Sequence, residues 1–89
     1  MEKNLESELM TIFGSNTMLI NQAKRIISIL TDEHFGKRIK NYTDKELTEL
    51  VMCFEPKNDA SYYMALYNFK NDAETNFYEV VVDLVLKHI

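Results

Sequence analysis

The amino-acid sequence predicts an all-α fold, a bundle of about five to six short helices, and three observations carry that expectation. Turn-forming residues are scarce: Gly14, Gly36 and Pro56 are the only glycines and proline, whereas sandwiches and barrels need many tight turns. Apolar residues recur at the three-and-four spacing of a helical face. Side chains able to cap a helix stand in front of most of these stretches. With 89 residues, 46% of them hydrophobic and 27% charged, the chain has the balance of a globular protein and the size of a single domain spanning residues 1–89.

Leu5, Leu9, Ile12 and Phe13 form the first stripe, and Gly14 is placed to end that helix in a left-handed cap, which predicts a helix over 3–13. Ser15 or Asn16 can cap the second helix. There Leu19, Ala23, Ile26, Ile27 and Leu30 line one side, opposite Asn21, Lys24, Arg25 and Ser28, the clearest amphipathic pattern of the chain. Thr31 or Asp32 then restarts the chain as a shorter helix, with Phe35, Ile39 and Tyr42 inward and Lys37, Arg38 and Lys40 outward.

Thr43 and Glu46 stand in the spacing of a capping box, in which the threonine oxygen accepts from the third backbone amide and the glutamate reaches back. Leu47, Leu50, Val51 and Phe54 give that helix its face, and Pro56 stops it near Glu55. The tetrapeptide Lys-Asn-Asp-Ala occurs at 57–60 and again at 70–73, which reads as one cap used twice. It predicts helices starting at Asp59, burying Tyr63, Met64 and Tyr67, and at Asp72, burying Phe77, Val81, Leu84 and Val85.

The last third also offers a rival, because Tyr78, Val80, Val82, Leu84 and Leu86 alternate as a strand would require, and a C-terminal β-hairpin would make the fold α+β. The polar residues favour the helix. Asn76, Glu79, Asp83 and Lys87 are three, four and four apart, which places them on one helical stripe, while a strand would mix Glu79, Asp83 and Lys87 with Val81 and Val85.

The signatures of common enzyme chemistries are missing. Cys53, His34 and His88 have no zinc-ligand spacing, and neither glycine belongs to a phosphate-cradling loop. The acids Asp44, Glu46 and Glu49 read as a first turn and solvated face. The sequence therefore predicts no enzyme, no metal and no cofactor. A lone cysteine between Met52 and Phe54 reads as a small buried hydrophobe in a reducing cytoplasm. Residues 1–8 are polar and acidic, without the basic and apolar regions of a secretory signal, and no apolar run approaches the roughly 20 residues of a membrane-spanning helix. Cytoplasmic location and no membrane contact are the expectations.

Two surfaces remain as candidates. Net charge is −4 but unevenly spread: Lys24, Arg25, Lys37, Arg38 and Lys40 make the middle basic, while the flanks are acidic. Two consecutive helices carrying that cluster suggest a small helix-turn-helix-like regulator that binds DNA. Against it stand the acidic helix that follows and the absence of interleaved aromatics. Surplus apolar surface is the stronger signal. On a wheel at 100° per residue the polar stripe of 76–88 covers only about 80°, so this helix is either central or offers Val82, Leu86 and Ile89 to a second chain. Tyr62, Leu66 and Phe69 likewise fall away from the Tyr63, Met64 and Tyr67 face. These six residues are the expected partner-binding surface of a non-enzymatic helical module, an inhibitor, adaptor or regulator that docks on another protein or on a second copy of itself.

Residues 25–70, about half the chain, carry an Ile-Ile-x-Ile-Leu helix, a Thr-Asp-Lys-Glu cap and a Tyr-Tyr-x-Ala-Leu-Tyr helix. In these motifs the chain resembles helical domains of phage replisome organisers and helicase-loader inhibitors, although it lacks the proline-containing segment expected to follow. The resemblance implies a docking inhibitor or organiser. Rich lysine and asparagine usage with only two arginines suits an AT-rich bacterial or phage genome.

Overall fold

The computed structural model describes residues 2–69 and 76–89, with side chains described from Leu5 onward. Six helices, and no strand, occupy about three quarters of the described residues: α1 (Glu2–Phe13), α2 (Thr17–Leu30), α3 (Glu33–Ile39), α4 (Asp44–Met52), α5 (Ala60–Tyr67) and α6 (Phe77–His88). The chain is an all-α bundle, and the C-terminal hairpin is excluded because α6 is helical along its whole length.

Local chemistry explains where the helices begin. Asn16, Asp32, Thr43, Asp59 and Asn76 each cap the helix that follows by accepting from a backbone amide three residues on, which satisfies one of the orphan donors of a helix start. The capping box of Thr43 and Glu46 is complete in both directions, at 3.1 and 2.9 Å. Gly14 ends α1 with φ +62, and its amide donates to Met10 O at 2.8 Å. An added Cβ would meet no neighbour there, so the need for glycine is conformational rather than steric. Asp72 lies outside the described residues; α6 starts at Phe77 with Asn76 as its cap.

α2 and α6 form the centre. α2 packs against α1, α3, α5 and α6, and α6 packs against α2 and α4. All five residues of the predicted α2 stripe are buried, together with Ile20 and Gln22. Among the described residues Gln22 is the one buried polar residue, and its side-chain amide donates to the carbonyl oxygen of Phe54 at 2.8 Å, which offsets the cost of burying it. Phe77, Val80, Val81, Val82, Leu84 and Val85 are buried along α6, while Glu79, Asp83 and Lys87 stay exposed as one stripe. Phe13 stacks at a tilt against Phe69 and Phe77, with ring centroids 5.0 and 5.6 Å apart, and Tyr62 meets Phe77 edge-on. These rings join α1, α5 and α6 at one end of the core.

Four expectations are corrected. α5 turns the other way: Tyr62 is fully buried, with Ala65, Leu66 and Phe69 packed against the core, and Tyr63, Met64 and Tyr67 are exposed. Tyr62, Ala65, Leu66 and Phe69, at i, i+3, i+4 and i+7, make up the stripe that packs inward. Tyr42 faces outward because α3 ends at Ile39, so position 42 lies beyond the helical register. Cys53 is exposed, at the C-cap of α4 on the turn away from Val51. α4 itself ends at Met52, and turn hydrogen bonds from Phe54 to Val51 and from Glu55 to Met52 carry the chain to Pro56.

Candidate functional site

The outer face of α5 is the largest aromatic surface the described residues leave to solvent. Asn58, in the left-handed region at φ 63, turns the chain into the helix, and Asp59 caps it by accepting from Tyr62 N at 3.1 Å. α5 contains no charged residue and carries apolar side chains on every side. Its inner side is fixed by Tyr62. Its outer side presents Tyr63, Met64 and Tyr67, which are 42%, 61% and 84% exposed. Spaced one, three and four apart, the three lie within a single 100° sector of the helix.

Glu55 anchors the edge of this face. Its carboxylate accepts hydrogen bonds from the hydroxyls of Tyr63, at 2.7 Å, and Tyr78, and the hydroxyls of Tyr78 and Tyr62 approach to 3.5 Å. The network therefore ties the turn after α4 to α5 and α6. It also moves the ionisation of its members apart. The Tyr78 and Tyr63 hydroxyls hold the Glu55 carboxyl below the usual carboxylate range. Tyr62 and Tyr78 are pushed above the ordinary phenol value first by burial, and Tyr63 first by its hydrogen bond to Glu55.

The signs give a pH window. A carboxyl with a lowered folded pKa contributes stability above its unfolded value near 4.5, lost as pH falls through the folded one. Phenols with raised folded pKa values contribute stability below about 10, lost as pH rises beyond it. In a spectroscopic titration of phenolate absorbance, Tyr62, Tyr63 and Tyr78 are expected to ionise only above pH 10. Glu55→Ala should bring Tyr63 back toward 10, while burial keeps Tyr78 above it. Ionisation of Tyr62, Tyr63 and Tyr78 in one step near 10 would show that the network does not form.

A second polar cluster closes the other end of the bundle. Glu8 on α1 accepts from Lys87 Nζ at 2.6 Å and contacts His88 Nε2 at 3.0 Å, and the Lys87 hydrogen bond, followed by that of His88, lowers the Glu8 pKa. A shallow depression of about 540 Å³ lies beside it, lined by Ser7, Thr11 and Ile12 as well as these three residues. The cluster joins the first and last helices and leaves its carboxylate engaged by Lys87 and His88.

The sequence-predicted residues are placed as follows. Tyr62 and Val82 lie inside the core, Leu66 and Phe69 pack against it, and Leu86 and Ile89 are exposed near the C-terminal end of α6. They do not form one surface, because α5 and α6 turn their Tyr62 and Val82 sides inward. Of the basic residues, Lys24 pairs with Glu6 at 3.5 Å, and Arg25, Lys37, Arg38 and Lys40 are exposed. α3, which carries Lys37 and Arg38 in its last turn, begins with Asp32 and Glu33. Among the described residues, no three His, Cys, Asp or Glu side chains are grouped to hold a metal ion, and no helix is long and apolar enough to cross a membrane.

The class that this architecture defines is a small all-α bundle. Comparison with protein-family models, with curated proteins and with solved structures finds no match to this chain.

Proposed function

We propose that this protein is a non-enzymatic docking module, an inhibitor, adaptor or regulator that binds another protein through the outer face of α5. One observation carries the reading: α5 is apolar on all sides, yet the core uses only the Tyr62 side. A helix with apolar residues all round is normally enclosed, and an exposed apolar patch on a globular chain commonly marks an interface. Tyrosine and methionine are also residues that interfaces favour, since both offer large contact area. The partner-binding set is thereby moved from Tyr62 and Val82, which are core, to Tyr63, Met64 and Tyr67.

The test compares what the chain captures from its native host in three forms. Met64→Ser with Tyr67→Ser is expected to weaken capture of a specific protein by about tenfold or more, the loss of roughly 1.4 kcal/mol of binding energy, with the circular dichroism spectrum unchanged. Alanine at Lys37, Arg38 and Lys40 should leave that capture intact. The reverse pattern, with a steep salt dependence of binding to duplex DNA, would support the nucleic-acid reading of the basic segment instead.

A further inference from the structure

We infer that the occupant of the α5 face is a segment of another protein that sets a lysine or arginine beside apolar side chains, and not a second copy of this chain. The inference rests on the docking reading above and adds the chemistry of the partner. Tyr63 and Tyr67 are four residues apart, so their side chains leave the helix on the same side, with Met64 beside them; the Tyr63 ring itself meets Tyr62 edge-on at 5.7 Å. A cation placed over a tyrosine face is attracted by the ring quadrupole. Next to Tyr63 stands Glu55, whose two carboxylate oxygens accept from the Tyr63 and Tyr78 hydroxyls; phenols hydrogen-bond that charge without neutralising it, and the carboxylate in turn makes the Tyr63 ring more electron-rich. Asp59 adds a second negative group at the start of the helix. Aromatic faces, a thioether and a carboxylate edge together fit a basic side chain with apolar neighbours, the charge-assisted end going to Glu55.

The same charges argue against self-association. The segment leading into α5 carries Glu55 and Asp59 against the one lysine Lys57, and α5 itself contains no basic residue. A twofold dimer through α5 would bring one acidic edge against its own copy, and like charges facing each other oppose binding.

The experiment is a selection of random peptides displayed on phage against the full-length chain at about 0.15 M ionic strength, counter-screened with Tyr67→Ser, the most exposed position, and with Met64→Ser. Peptides that depend on α5 are expected to carry Lys or Arg within a few positions of aromatic or aliphatic residues. Their synthetic versions should bind Tyr67→Ser about tenfold more weakly, bind Glu55→Gln more weakly, and lose affinity as salt rises. If α5-dependent peptides are acidic or lack basic residues, the basic occupant is wrong while the docking face stands. If no selected peptide depends on α5, the docking reading fails and takes this inference with it. If light scattering finds a dimer of the wild type that Tyr67→Ser dissolves, a second copy is the occupant and the inference is overturned.

Discussion

Ile27→Ala is expected to lower the stability of the fold by roughly 2 to 5 kcal/mol, the cost of truncating a buried aliphatic side chain. Ile27 is in the middle of α2, about 1% exposed, between Ala23 and Leu30 on the buried side. α2 touches four other helices, so no single neighbour can shift to fill the space that the lost methyl groups leave. For a chain of this length total stability is on the order of 5 to 13 kcal/mol. The loss is therefore a large share of it, and it appears as a drop in melting temperature of some 4 to 8 °C per kcal/mol. Urea denaturation checks the value. A change well under 1 kcal/mol would mean that α2 is not the centre of the core.

Val82→Glu should be as costly, and the contrast with Leu86→Glu makes it informative. The sequence pairs these two residues as one outward face, and the structure separates them: Val82 is 4% exposed and Leu86 40%. A carboxylate forced into the Val82 position loses its hydration without a designed partner. Removing one member of a buried ion pair, which also leaves a charge uncompensated, costs roughly 3 to 5 kcal/mol. A similar loss is expected here, reduced in acid as the new carboxyl takes up a proton. Leu86→Glu should cost about 1 kcal/mol or less, close to the range of surface changes. Equal effects at the two positions, measured by thermal denaturation, would remove α6 from the centre of the bundle. Association, by contrast, should follow changes at Met64 and Tyr67 rather than at Val82.

The two candidate surfaces differ in how much of them was legible from residues alone. The basic segment was legible because charge is visible in the sequence, and Lys37, Arg38 and Lys40 are indeed exposed. The α5 face was inverted. With Tyr62, Tyr63, Met64, Leu66 and Tyr67 all apolar or aromatic, the contrast between polar and apolar sides that orients an amphipathic helix is absent.

What the sequence by itself determined is everything that short-range chemistry controls. Asn16, Thr43, Glu46 and Asp59 set helix starts through hydrogen bonds to amides three residues away, Gly14 set a stop through a backbone angle open to glycine, and the polar-apolar contrast of α2 set its buried side. Only the tertiary structure decided which side of α5 is hidden, that α6 is enclosed with Val82 inside, that Gln22 is buried and that Cys53 is not. The burial of α5, α6 and Gln22 depends on partners far along the chain, whereas Cys53 is left outside by its place at the end of α4. Tyr62 turns inward where Phe77 receives its ring and Tyr78 meets its hydroxyl, and Gln22 is accommodated by a carbonyl 32 residues away. A helix that is apolar on all sides carries no instruction about its own orientation, and packing against its neighbours supplies it.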